Sequence, residues 1–201
     1  MAQSSRQFFA HFWVIAACFV WLTATQSVFA QSSDGAPIAP GDTYKEDEVV
    51  KAGHRFFGSV SGGLASVVEK AFSSYGEPNG YILGEEGSGA FVAGARYGEG
   101  HLYTRNAGNH KVFWQGPSLG WDFGADGART MILVYRLPDV SAIYERFAGV
   151  NGSAYLVGGI GMTVLLRNEV ILVPIRAGLG ARLGVNLGYL KLTPKPTWNP
   201  F

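Results

Sequence analysis

The spacing of apolar residues changes character once along this chain. Over residues 61–75, Leu64, Val67, Val68, Ala71 and Phe72 recur at i, i+3 and i+4, which predicts a helix with one buried stripe, ended by Gly76. Upstream, Thr43 with Glu46 three positions on reads as a capping box that opens a first helix over 44–57. Its acids come early and Lys51, His54 and Arg55 late, the sense that the helix dipole favours. Gly53 weakens the second half of that helix.

From Tyr81 onward the period shortens to that of strands. Candidate strands cover 80–85, 88–97, 101–105, 111–115 and 128–137. Bends at Glu86-Gly87, Gly98-Glu99 and Asn106-Ala107-Gly108 separate the first four at hairpin spacing. Pro138-Asp139 introduces a short helix over 140–147. Two long β-runs follow, 153–166 and 169–192, divided by a turn at Arg167-Asn168. In the second, Pro174 and Gly178 are expected to bend the run into two strands. Leu183, Val185, Leu187 and Tyr189 alternate with Arg182, Gly184, Asn186 and Gly188, the pattern of a strand with one face buried. Pro194, Pro196 and Pro200 end the sheet. The predicted class is mainly β (α+β): a small antiparallel β-barrel with two N-terminal helices and one short helix between strands. Closure removes the sheet's edges, and the scattered glycines, 28 in 201 residues, permit tight curvature.

The first thirty residues change where the protein is expected to work. Arg6 precedes an apolar run over 8–22, and the segment ends Val28-Phe29-Ala30, the pattern of a signal peptide cleaved after Ala30. That run is shorter than the ~20 residues that span a bilayer. Cys18, the single cysteine, follows Ile15-Ala16-Ala17 in the manner of a lipoprotein box, but Phe19-Val20-Trp21-Leu22 keeps the run apolar, and ordinary cleavage is the reading preferred. Residues 31–43 form a flexible leader and 44–201 a single domain. The mature chain is then free of cysteine, which excludes disulfides and thiolate metal sites. Removing Arg6 leaves as many basic side chains as the 15 acidic ones, so no electrostatic footprint for nucleic acid exists.

Motifs that suggest catalysis or cofactors fail on context. Gly116-Pro117-Ser118-Leu119-Gly120 matches the nucleophile elbow G-x-S-x-G, yet no helix start follows it and His54, His101 and His110 all precede Ser118. The run 178–184 misses the dinucleotide fingerprint by one position and enters a strand pattern. The acids of 122–127 sit as in a calcium loop, but Leu133 stands where the closing Glu belongs. No metal and no cofactor are expected. A membrane-spanning barrel is disfavoured by the proline-rich end and by short strands.

The candidate binding residues cluster around KVFWQGPSLGWDFG, residues 111–124. Trp114, Trp121 and Tyr103 offer apolar faces and Asp122 and His110 polar partners, the make-up of an aromatic platform for a sugar or lipid. The competing role for these aromatics is to plug a small core.

Several phrases carry a resemblance: Gly53-His54-Arg55-Phe56-Phe57-Gly58, Gly76-Glu77-Pro78-Asn79-Gly80-Tyr81-Ile82, the WQGPSLGWDFG stretch, Val150-Asn151-Gly152-Ser153-Ala154-Tyr155 and the ending Lys195-Pro196-Thr197-Trp198-Asn199-Pro200-Phe201. Together they resemble the envelope integrity protein A family (EipA) over about residues 44–201. The resemblance implies a soluble periplasmic barrel that supports the envelope of Gram-negative bacteria. The implied partner is an envelope glycan, lipid or protein, and no catalytic residue is implied. The alternatives are a hydrolase of envelope polymers and a membrane-associated lipid-binding protein, the latter because the glycine-rich runs near 158–161 and 178–188 are also similar to SYLF domains.

Overall fold

The computed structural model describes residues 41–58, 62–88, 95–117, 128–177, 188–197 and 199. The expected signal peptide with Cys18, residues 31–40 of the expected leader, and Ser118 lie outside these residues, as do Trp121, Asp122 and the calcium-like loop. No helix among the described residues is long and apolar enough to cross a membrane.

Both N-terminal helices form. Helix α1 spans Glu46–Phe57 and α2 spans Leu64–Tyr75. The start of α1 lies two residues beyond the predicted cap: the Lys45 N–H donates to Glu48 Oε2 at 2.8 Å, whereas the Thr43 hydroxyl donates to Glu77. Leu64, Val67, Val68 and Ala71 of the predicted stripe are fully buried. Gly53 weakens helix propensity but serves packing, since a Cβ there would fall 2.5 Å from Leu64 Cδ2.

Ten strands follow. Strands β1 (Gly80–Ser88), β2 (Ala95–Thr104), β3 (Gly108–Pro117) and β4 (Ala128–Tyr135) make an antiparallel set. The expected bend at Gly98-Glu99 is absent. Segments predicted as separate strands are one continuous β2, because Gly98 pairs with Trp114 and its missing side chain makes room for the indole. Glu86-Gly87 likewise stays within β1. The turn at 106–108 is present, with Gly108 at φ +81.

The predicted short helix shrinks to one 3₁₀ turn, Val140–Ile143, capped by Asp139 Oδ1 accepting the Ala142 N–H at 3.1 Å. Strand β5, Arg146–Gly149, follows directly. The run over 153–166 divides into β6 (Tyr155–Val157), β7 (Ile160–Met162) and β8 (Leu165–Arg167). Gly158 and Gly159, at φ +55 and +78, make the tight β6–β7 turn that demands positive φ at both central positions. Asn168, at φ 52, turns β8 into β9, Val170–Ala177. Strand β10 is Tyr189–Thr193. Its buried residues are Leu190 and Leu192, so the expected inward Tyr189 faces out, beneath the Arg146 guanidinium. The rest of that alternation, 178–187, lies outside the described residues.

The hydrogen-bonded order is β4-β1-β2-β3-β10-β5-β8-β9, and β9 pairs back to β4, closing an eight-stranded antiparallel barrel. Strand β9 pairs along its other edge first with β8 and then with β7. Pro174, expected to bend this run, lies within β9 between those two pairings, where its carbonyl accepts the Thr163 N–H at 3.2 Å. The barrel separates two cores. Ile82, Leu102, Val112, Trp114, Ile132, Phe147, Leu172 and Leu190 fill the interior, with Leu137, Val140 and Ile143 of the 3₁₀ segment packed into the same core beyond the Tyr135 end of β4. Met131, Leu133, Tyr135, Val173 and Ile175 face outward under α1 and α2. Strands β4 and β9 are thus buried on both faces, which explains their unbroken apolar runs.

Candidate functional site

The opposite end of the barrel interior is charged. Pairing registers place Glu86, Gly98, Trp114, Thr130 and Arg176 on the inner face, with Arg96 opposite Gly116 one step nearer the rim. This is where β1, β3 and β9 end and where β2 and β4 begin.

Trp114 anchors the cluster. It is 1% exposed, with its indole laid over Gly98 and Gly84, and its Nε1–H donates to Glu86 Oε2 at 2.8 Å. Arg176 Nη2 donates to the same oxygen at 3.2 Å. Arg176 Nε lies 3.2 Å from Glu86 Oε1, close enough for an ion pair but too poorly aligned for a hydrogen bond. Burial pushes the Glu86 carboxyl up, but Arg176, Arg96 and the indole N–H outweigh it and hold the group below its ordinary value. Glu86 is thereby committed to Arg176 and Trp114.

Arg96 is left over. It is 8% exposed, and its Nε has no hydrogen-bond partner among the described residues. Burial first, then the nearby Arg176, lower its pKa to about 10, with Glu86 opposing them, so it stays cationic at neutral pH. Two guanidiniums thus share one carboxylate. No group of His, Cys, Asp and Glu among the described residues is arranged to hold a metal ion.

The candidate residues of the aromatic platform are not brought together. Tyr103 points outward from β2 and stacks on Tyr81 with ring centroids 5.2 Å apart. His110 points inward near the far end, its Nε2 2.7 Å from the Ala107 carbonyl. Trp114 is interior, while Trp121 and Asp122 lie outside the described residues. Glu86, Arg96 and Arg176 are the site residues that sequence reasoning missed. The available signal was a charge in a buried run: Arg176 closes VILVPIRA, and Glu86 belongs to a strand and not a bend.

On the outer face of the same wall, a groove of about 350 Å³ runs beside the C-terminal tail, lined among others by Tyr97, Phe113, Gln115 and Pro196. Glu85, Glu86 and Glu99 also line it, and Glu99 lies 3.3 Å from Lys111 Nζ.

A closed eight-stranded antiparallel barrel with helices on one outer wall and a charged inner end defines the class. The family model for Envelope integrity protein A matches residues 42–201, and the chain belongs to that family. It is similar, at 68% identity, to a beta-barrel-like, uncharacterized protein from Brucella abortus known from a crystal structure. That match covers 80% of this chain and 99% of the other, with a TM-score of 0.75. Among curated proteins no sequence matches the chain. The family's name ties the protein to the integrity of the cell envelope.

Proposed function

We propose that this protein is a non-enzymatic periplasmic component that supports envelope integrity by binding an envelope constituent, whether glycan, lipid or protein. Export by a signal peptide cleaved after Ala30 brings it to that compartment. The observation that carries the binding reading is the charged cluster of Glu86, Arg96 and Arg176 inside the barrel. Buried charges cost several kcal/mol each unless paired, and well-packed apolar residues would stabilise such a barrel as well or better. A barrel serving only as a spacer has no use for them.

Complementation of a gene deletion tests the reading. Wild type is expected to restore growth under detergent or other envelope stress. A folded variant with the cluster neutralised, Glu86→Gln with Arg96→Met and Arg176→Met, is expected not to. Full rescue by that folded variant would sink the reading, as would turnover of envelope polymers by the purified protein.

A further inference from the structure

The charge balance at the inner end points to a ligand class. Glu86 directs one oxygen at the Trp114 Nε1–H and at Arg176, and its other oxygen lies beside Arg176 Nε. Among the described residues one positive charge is thereby compensated and the second, on Arg96, is not. Arg96 takes part in none of the ion pairs found among the described residues, and its buried Nε lacks a partner. Buried polar groups in folded proteins are almost always satisfied, so an orphaned guanidinium N–H signals a missing acceptor. Gly116 stands opposite Arg96 across the β2–β3 ladder, where a side chain would collide with the Tyr189 carbonyl oxygen at 2.2 Å and come within 3.6 Å of Arg96 Nε. The side chains of Glu86 and Arg176 keep 11% and 17% of their surface exposed, so the cluster is not sealed from solvent.

We infer that this end of the barrel binds a single oxyanion group of charge −1, a carboxylate or a phosphodiester, held by the Arg96 fork with Arg176 behind it. A monoanion brings the cluster to neutrality, whereas a dianion would overshoot it and carry a larger desolvation cost. Guanidinium forks match both groups in geometry, through paired N–H donors to two oxygens. The inference rests on the proposal that the interior is the binding part of the protein.

Thermal melting and isothermal titration of the protein with sodium acetate and with sodium dimethyl phosphate, each against sodium chloride at matched ionic strength, test it. At a hundredfold excess over Kd, one or both anions are expected to raise the melting temperature by on the order of 5–10 °C beyond chloride. Which arm responds distinguishes a carboxylate source from a phosphodiester source. The rise is expected to vanish in Arg96→Met, whose melting temperature without ligand matches or exceeds that of wild type because an uncompensated buried charge is gone. Arg96→Lys, which keeps the charge but loses the fork, is expected to bind at least tenfold more weakly. An equal response to chloride, no response in wild type, or a response surviving in Arg96→Met would overturn the inference. Anion binding lost in Arg96→Met alongside full complementation would uphold the site but sever it from envelope support. Complementation by a wild type that binds no anion would sink the site alone.

Discussion

Trp114 lies flat across Gly98, the residue paired with it on the neighbouring strand: a Cβ on Gly98 would fall 2.2 Å from the indole Cε2. The strand bend expected at Gly98 is therefore an indole-shaped recess in a straight strand. Trp114→Ala should leave a cavity and cost about 3–5 kcal/mol. Gly98→Ala should also destabilise, by roughly 1–3 kcal/mol, because the ring must move. Urea denaturation of both variants checks this, and an unchanged midpoint for Trp114→Ala would contradict the packing described.

The Glu86 carboxyl gives the fold an acid limb. Its folded pKa lies below the unfolded value, so its contribution to stability is present above the unfolded value and is lost as pH falls through the folded one. Urea midpoints measured from pH 7 to pH 3 should fall on acidification, and Glu86→Gln should flatten part of that fall. At pH 7 the same substitution should cost about 3–5 kcal/mol, since Arg176 loses its counter-charge inside the barrel.

Tyr135 is 1% exposed on the helix-facing side of β4, and its hydroxyl has no hydrogen-bond partner among the described residues. Burial, with a smaller contribution from Tyr75, pushes its pKa up, so it stays protonated across the working range. Tyr135→Phe removes an orphaned polar atom and keeps the ring packing. The variant should be neutral or more stable by up to about 1 kcal/mol. A loss of more than that in chemical denaturation would reveal a partner for the hydroxyl.

Arg105 ties the start of α1 to the barrel. Its Nε donates to the Thr43 carbonyl at 2.6 Å, its Nη2 pairs with Glu48, and its guanidinium lies 4.5 Å from the centroid of the Tyr44 ring. All of this is exposed enough for solvent to screen it, so Arg105→Ala should cost less than about 1 kcal/mol overall. Hydrogen exchange should quicken in the first turn of α1 while β2 and β3 stay protected.

Export gives the sharpest mass. The protein recovered from the periplasm should begin at Gln31, and intact mass spectrometry decides it. A chain beginning at a lipid-modified Cys18 would show that the protein is anchored.

Local pattern determined the two helices and the succession of strands after Tyr81, but not every element, since 140–147 reads as a helix and is a 3₁₀ turn followed by β5. The stripe Leu64, Val67, Val68 and Ala71 could bury itself in only one way, as a helix on a sheet. The switch to a strand-like period at Tyr81 pointed to an antiparallel meander, whose edges closure into a barrel removes. These are properties of neighbouring residues, so the chain alone carries them. What it could not decide was which side of the wall each residue faces, because a register shift of one residue exchanges the two faces. Tyr189 and Leu190 trade places for that reason. The site is less local still. Glu86 lies 28 positions from Trp114 and 90 from Arg176, and nothing in the intervening chain states that they meet. Only closure of β9 onto β4, with β1 as the next strand, brings the two charges within reach and leaves Arg96 without an acid of its own among the described residues.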